Sequence, residues 1–337
     1  GDKRMEYKNL GHTGLKISTV ILGCGNFGGI GSAPAFFGKG ETEEEACALM
    51  DAAWEMGLNV FDTANAYGGG RSESYIGKWL KQKGPRVRDQ LVLSSKVFNP
   101  VGDGPNDWGL SRRHILGQVE ASLTRLGTDH LDMYLTHETP DPATPLEETL
   151  RTMDDLIRVG KVRYIGASNM PAWLMTKALW ISDKHNLHRF NWVQNSYSLL
   201  DRSDEQEMLP LCADQKLGYT PFSPLAGGWL TGKYKTGQSF PGGSRMTLRP
   251  EPYQKFLNET TYARLDALGA YAAARGTDMA ALALAWVMSN PLVTAPIVGP
   301  RKPEHLEPAK KAMEIKLSDD ERGAIGLLFD QNVKRDS

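Results

Sequence analysis

Three polar side chains in this 337-residue sequence stand where short apolar runs end, and a tyrosine follows closely behind the first of them. Asp62 closes Asn59-Val60-Phe61, Lys96 closes Leu91-Val92-Leu93-Ser94-Ser95, His137 follows Leu131-Asp132-Met133-Tyr134-Leu135, and Tyr67 lies just past Asp62. A carboxylate, a phenol, an ammonium and an imidazole gathered in one place can move a proton. An ammonium beside a phenol favours the phenolate and is expected to lower the phenol pKa. The carboxylate keeps the lysine charged and fixed. Such a tyrosine can donate a proton to a carbonyl oxygen and recover it in reverse, while the imidazole hydrogen-bonds and orients the same oxygen. Each residue alone has a plainer role: Asp62 as a turn or helix cap, Tyr67 as an amphipathic surface residue, Lys96 as a solvated strand end, His137 as a satisfied core histidine. Joint placement is what makes the chemical reading.

The elements that would achieve that placement are legible. Further strand-like runs are Val162 to Ala167, ending at Ser168 and Asn169; Trp192-Val193, ending at Gln194; Leu217 to Thr220, running towards Phe222 and Ser223; and Val293 to Val298, ending at Gly299. Helical patterns separate most of them: 43–55 with Thr42 as N-cap, 111–126, 146–158, 171–184, 205–214, 279–288 and 303–311. Strand alternating with helix implies a parallel sheet. The polar strand ends from Asp62 through Lys96, His137, Ser168 and Gln194 to Phe222 follow at gaps of 34, 41, 31, 26 and 28 residues, each the length of one βα unit. A strand near Val20 and the one near Val298 bring the total to eight. The expectation is an α/β protein, a single-domain (β/α)8 TIM barrel over residues 5–330, with its active site at the C-terminal ends of the strands. The long gap over 226–277 contains the Gly/Pro-rich stretch 237–252 and is read as a loop or lid insertion, a passive surface insertion being the alternative.

Composition narrows the function classes. A net charge of −1 provides no general attraction to nucleic acid or an anionic membrane. Cys24, Cys47 and Cys212 are too few and too scattered for a disulfide framework or a zinc site and suit a reducing compartment. No signal peptide and no bilayer-length apolar run is evident, so a cytoplasmic protein without a metal is expected. A barrel hydrolase would need paired carboxylates or a metal cluster at the strand ends, and the pattern has neither. Gly23-Cys24-Gly25-Asn26-Phe27-Gly28 fits the dinucleotide fingerprint G-x-G-x-x-G, but that motif requires a helix to open directly after it. Here residues 29–40 are loop-like, and no acidic residue ends a second strand about twenty positions on. In the barrel reading these glycines form the loop after the first strand, and Asn26 and Phe27 line the substrate pocket.

The same residues carry a resemblance to a known family. Phe61-Asp62-Thr63-Ala64-Asn65-Ala66-Tyr67-Gly68 resembles the Asp-to-Tyr signature of the aldo-keto reductase superfamily, Leu93 to Val97 its lysine strand, and Asp132 to His137 its histidine strand. Gly160 to Asn169 and Phe222 to Gly228, continuing through Thr231-Gly232-Lys233-Tyr234, are highly specific matches. The resemblance runs from about Leu10 to Ala309 and is nearest to the branch of bacterial reductases and potassium-channel β subunits. It implies that Asp62, Tyr67, Lys96 and His137 form a catalytic tetrad. It implies that Ser168, Asn169 and Gln194 hold the nicotinamide carboxamide and that Phe222 stacks on the ring. Ser223, Leu225, Gly227 and Lys233 then belong to the segment around the pyrophosphate. Gly299 and Arg301 lie in the segment that meets the adenosine 2′-phosphate, and His305 lies in the closing segment beside the adenine positions. Guanidinium binds phosphate in bidentate fashion, so Arg301 points to NADP(H). Two departures stand out: His137-Glu138-Thr139-Pro140-Asp141 is a longer turn than usual, and Pro308 and Ala309 replace the customary adenine-binding Glu-Asn pair. Candidate substrate-pocket residues are Asn26, Phe27, Trp108 and Glu138.

The implied function is an NADP(H)-dependent oxidoreductase interconverting an aldehyde or ketone and its alcohol, with sugars and polyols within the substrate range. The implied partner is thus a small carbonyl or alcohol, with no nucleic acid and no membrane. The alternative is a regulatory or binding subunit that senses cofactor redox state and turns over slowly.

Overall fold

The computed structural model describes residues 5–330. A small antiparallel hairpin of β1 (Tyr7–Asn9) and β2 (Lys16–Ser18) leads into β3 (Ile21–Gly23), α1 (Glu43–Glu55), β4 (Val60–Asp62), α2 (Arg71–Lys83), α3 (Pro85–Gln90) and β5 (Val92–Val97). The alternation continues through α4 (Arg112–Leu126), β6 (Leu131–Thr136), α5 (Leu146–Arg158), β7 (Val162–Ser168), α6 (Ala172–His185), β8 (Trp192–Gln194), α7 (Met208–Gln215) and β9 (Gly218–Tyr219). A short α8 (Arg245–Leu248), then α9 (Glu259–Ala274) and α10 (Met279–Met288), precede β10 (Ile297–Val298), α11 (Glu307–Glu314) and α12 (Asp319–Leu327).

Strands β3 to β10 form one eight-stranded parallel sheet in the order β10-β3-β4-β5-β6-β7-β8-β9. The remaining seam is joined by the backbone on either side of it: Thr294 N donates to Tyr219 O and Ile297 N to Pro221 O, both at 2.8 Å. Closure leaves the eight-stranded sheet without a free edge. Inward-facing Ile21, Val60, Val92, Met133, Leu135, Trp192, Ala295 and Ile297 fill the interior as one apolar cluster, and Leu10 and Ile17 of the hairpin seal its N-terminal mouth. A larger apolar layer packs between strands and helices. Glycine at 166 makes room for the filling, because a Cβ there would stand 2.5 Å from the Trp192 indole. With the interior and lower mouth apolar, polar side chains on the strands are left to cluster at the C-terminal mouth.

The helices expected over 43–55, 146–158 and 279–288 have those bounds, and Thr42 closes a full capping box with Glu45. Five helices escape the sequence pattern, two of them the short α3 and α8. Helix α2 follows three glycines that read as loop, yet its first turn starts directly from Gly70, which adopts φ +88°. Helix α9 is rich in small residues and has a weak apolar stripe, but Asn258 caps it through Thr261 N, so the irregular part of the 226–277 segment ends there. Helix α12 begins with a capping box of Ser318 and Glu321. The strand expected over 293–298 narrows to Ile297–Val298, with Thr294 still bonded across the seam. No helix opens after Gly28: the chain runs through loop and a single turn at Pro34–Phe36 before α1, so the dinucleotide fingerprint is not realised there. Among the described residues no helix is long and apolar enough to cross a membrane.

Thr42 is exposed and acts on α1 through its cap alone. Thr42→Ala is expected to cost about 1 kcal/mol of stability, seen as a lower urea midpoint with an unchanged denaturant slope.

Candidate active site

The four residues singled out from the sequence meet at the C-terminal mouth. Asp62 ends β4 and Lys96 is the penultimate residue of β5, so neighbouring strands present them side by side. Lys96 Nζ donates to Asp62 Oδ2 at 2.5 Å and to the Thr63 carbonyl at 2.8 Å. The other carboxylate oxygen of Asp62 accepts from Ser94 Oγ at 2.8 Å and from Gln194 Nε2 at 3.1 Å. Tyr67 opens a tight turn over Tyr67–Gly70 whose Gly68 sits at φ +58°, and a Cβ on Gly68 would stand 2.7 Å from the Phe27 carbonyl. The turn swings the phenol back over the lysine: Lys96 Nζ donates to Tyr67 Oη at 3.4 Å. His137, one residue past β6, brings Nε2 to 3.3 Å from the same oxygen, with the two rings edge to face, 80° apart. Behind the imidazole, Asn99 Nδ2 lies 3.0 Å from His137 Nδ1, and Asn169 Nδ2 donates to the His137 carbonyl at 2.9 Å.

Burial sets the protonation states. Lys96 is wholly buried. Burial opposes its charge, but Asp62 and Tyr67 outweigh that and hold the lysine pKa above its usual value. The phenol departs from the sequence expectation of a lowered pKa. Burial pushes Tyr67 up by more than Lys96 pulls it down, with Asp62 adding to the rise, so its pKa lies above the usual value. The physical reason is that removal from water penalises the phenolate more than the nearby ammonium favours it, and the Asp62 carboxylate offsets part of that ammonium's pull. His137 is pushed well below its usual range, first by burial and then by the Lys96 charge, and is a neutral imidazole near pH 7. The arrangement therefore offers a protonated phenol flanked by a buried ammonium and a neutral ring, suited to giving up a proton to an oxygen held above it.

A second group of candidates surrounds this centre. Ser168 ends β7 and Gln194 ends β8; Ser168 Oγ donates to the Gln194 carbonyl at 2.7 Å, and Asn169 adopts φ +52° directly beside them. Phe222 is half-buried against the barrel interior. Past it, Ser223 at φ +55°, Ala226 at φ +48° and Gly227 at φ +65° turn the chain sharply, with Leu225 half-buried between them. A Cβ on Gly227 would lie 2.4 Å from the Tyr253 ring.

Lys233, Arg245 and Arg301 form a cationic group. Arg301 Nε donates to Glu41 Oε1 at 2.7 Å, Arg301 Nη1 to the Gly243 carbonyl at 2.7 Å, and Arg245 Nη2 to Asn26 Oδ1 at 2.5 Å. Lys233 is held below its usual pKa, first by burial and then by Arg245 and Arg301. Glu41 is buried, and that burial raises its pKa. The exposed Gly299 precedes this group, and His305 Nδ1 accepts from Arg301 N at 3.2 Å.

The four pocket candidates fare differently. Phe27 is fully buried in the core between strands and helices, so it does not present a pocket wall as expected; the loop after β3 folds back, with Phe27 bridged to Glu41. Asn26 is nearly buried and bonded to Arg245. Trp108 is exposed and stacks edge-on against Phe98. Glu138 is half-buried, and burial raises its pKa. Sequence reasoning passed over Asn99, Glu41, Arg245 and Tyr253; of these only Asn99, three residues beyond Lys96 and just past β5, had a position that could have drawn notice. A separate hollow of about 240 Å³ opens at the opposite end of the barrel, between Lys8, Met288 and Lys316. It is remote from the tetrad. Among the described residues no cluster of three His, Cys, Asp or Glu could hold a metal ion.

Comparison with known proteins agrees with this geometry. The sequence profile described as the Aldo/keto reductase family matches residues 19–326. The chain is 40% identical to an uncharacterized oxidoreductase, YrpG, of Bacillus subtilis, over 93% of this chain and 92% of that protein. It is 36% identical to the versiconal hemiacetal acetate reductase of Aspergillus parasiticus, over 94% and 95% of the two chains. A probable voltage-gated potassium channel subunit beta of Oryza sativa is 38% identical over 92% of each. With eight parallel strands closed into a barrel and a profile match over nearly the whole length, this chain belongs to the aldo/keto reductase family of oxidoreductases.

Proposed function

We propose that this protein is an NADP(H)-dependent reductase of aldehydes or ketones, with Tyr67 as the proton donor. The observation that carries the reading is the half-buried phenol whose oxygen receives Lys96 Nζ at 3.4 Å and lies 3.3 Å from His137 Nε2. A bound nicotinamide would supply the hydride that goes to the carbonyl carbon. The protein's part is at the carbonyl oxygen. Tyr67 transfers its proton there as the C=O bond becomes C–O–H, and the phenolate left behind is stabilised by Lys96. His137 holds the oxygen in line. Asp62 keeps Lys96 charged and in place.

The residues suit the dinucleotide. Burial first, and then the neighbouring guanidinium of Arg301, hold Lys233 and Arg245 below their usual pKa, with Glu41 as the buried carboxylate paired to Arg301, and a polyanion answers such a group. The tight backbone at Gly227 under Tyr253 forms a cradle that any side chain would fill. Ser168, Asn169 and Gln194 are the proposed carboxamide holders and Phe222 the stacking ring. Ser223, Leu225, Gly227 and Lys233 are assigned to the pyrophosphate, Gly299 and Arg301 to the adenosine phosphate, and His305 to the adenine side. Glu138 and Trp108 border the substrate side, where a half-buried carboxyl suits a hydroxylated substrate.

Tyr67→Phe should keep NADPH binding, followed by fluorescence titration, and lose about 10²–10⁴-fold in kcat. Turnover near that of the unsubstituted enzyme would exclude Tyr67 as the donor. The pH dependence has a definite sign: with the phenol pKa raised, the acid form prevails through neutral pH, so carbonyl reduction should fall only as pH rises through that value. An NADPH-oxidation screen across aldehydes, ketones and keto sugars measures both and identifies the substrate class.

Arg301→Ala should weaken NADPH by about tenfold to a hundredfold, as expected for a lost charge-assisted hydrogen bond, and leave NADH little changed. Equal losses for both cofactors would place Arg301 away from the 2′-phosphate. The segment 226–277 is assigned as a lid over the dinucleotide. Its flanks are pinned by Trp229 among Tyr234, Phe240, Phe256 and Tyr262, while the stretch between them reaches the barrel through Arg245 to Asn26 and Gly243 to Arg301. Hydrogen exchange over 241–249 should slow on adding NADP+; identical exchange there, with Ser168 and Gln194 protected, would mark the segment as passive.

A further inference from the structure

His137 is neutral near pH 7, so its ring carries a single proton, on Nδ1 or on Nε2, and the two tautomers do opposite things at the mouth of the site. With the proton on Nε2 the ring donates towards the Tyr67 oxygen and towards any carbonyl oxygen beside it. With the proton on Nδ1 it offers a lone pair there instead. That lone pair would capture the Tyr67 proton and repel the substrate oxygen.

The geometry points to Asn99 as the residue that makes this choice: its side-chain amide nitrogen, 3.0 Å from His137 Nδ1, assigns the ring proton to Nε2 and so turns His137 into a donor at the site of carbonyl reduction. An amide –NH2 can only donate, so Nδ1 beside it must be the acceptor. The backbone that carries the ring is tied on both sides. His137 N donates to the Val97 carbonyl at 2.9 Å, and Asn169 Nδ2 donates to the His137 carbonyl at 2.9 Å. The edge-to-face contact with Tyr67 holds the remaining side. The titratable groups facing the ring are Lys96 and Tyr67, with Asp62 behind Lys96 and Glu138 next along the chain.

A consequence follows for the phenol. Lys96 and His137 both donate to Tyr67 Oη, so the phenol's own proton has no partner among these groups to receive it and is directed to the substrate oxygen. Asn99 does not touch the substrate oxygen in this scheme. It is a positioning residue acting through His137, three residues beyond Lys96 and on the loop that leaves β5.

The inference rests on the reading of Tyr67 and His137 as the groups at the carbonyl oxygen, and its test separates the two. In the full-length protein with 15N-labelled histidine, the signal absent from His137→Asn should show the Nε2–H pattern in two-bond 15N–1H correlation spectra; an Nδ1–H pattern overturns the assignment whatever the turnover. The kinetic arm compares two substitutions. In Asn99→Asp the carboxylate accepts from Nδ1–H and raises the imidazole pKa. The charged ring at low pH still donates from Nε2, but as pH rises through that raised pKa the ring deprotonates to the Nδ1–H tautomer and kcat should fall about 10²-fold, the loss typical of removing one oxyanion donor. Asn99→Ala leaves both tautomers accessible and should lose less, with no new pH limb, while NADPH affinity is unchanged in both. Superimposable pH profiles for the Asp and Ala variants would overturn the proposal.

Discussion

An ammonium sealed inside a protein must have its charge answered, and the Lys96–Asp62 pair is the contact on which the rest of the site depends. The lysine is wholly buried and finds its compensation in Asp62 Oδ2 and the Thr63 carbonyl. Asp62 is braced in turn by Ser94 from β5 and Gln194 from β8, so the pair ties together strands that are not all neighbours. Breaking such a pair by removing one partner leaves an unanswered buried charge and costs roughly 3–5 kcal/mol. The pair also limits the field that reaches its neighbours. Enough of the lysine charge remains to help hold His137 neutral, but too little to pull the phenol pKa below its ordinary value against burial. Three protonation states thus descend from one ion pair and the dryness around it.

The barrel is what allows the pair to exist at one end only. Its interior is apolar and its lower mouth is sealed by Leu10 and Ile17. Parallel strands share one polarity, so residues near the end of each strand arrive on the same rim. Asp62, Lys96, Ser168 and Gln194 belong to different strands, and the register pairs Asp62 with Ser94 and Ser168 with Gln194. Tyr67 and His137 are delivered by the loops that follow. The turn that returns Tyr67 requires glycine at 68, since a side chain there would collide with the Phe27 carbonyl.

The cationic group at the rim works by the opposite principle. Lys233, Arg245 and Arg301 are held near one another with a single buried carboxylate, Glu41, and two backbone or amide oxygens as partners. Such a group is under mutual repulsion that an anionic ligand relieves. The segment carrying Arg245 is fastened at both ends by the aromatic group around Trp229 and in the middle by the buried Met246 together with the polar contacts of Arg245 and Gly243.

The alternation of strand and helix, the positions of the polar strand ends and the bounds of helices such as 146–158 are legible in the residues alone, because they depend on local period and capping. The sequence also marked Asp62, Lys96 and His137 as residues to bring together, since their spacing matches successive βα units, with Tyr67 just behind the first of them. What packing and burial control emerges with the folded chain. The fold placed Phe27 in the core and not on a pocket wall, because the loop after β3 folds back on Glu41. It made helices of 71–83 and 259–274, where glycines before one and small residues within the other hide the period. It raised the Tyr67 pKa where an adjacent lysine suggested a fall, because dielectric surroundings are set by the whole fold. And it brought Asn99 to His137 and Glu41 to Arg301, contacts between residues 38 and 260 positions apart that no local pattern encodes.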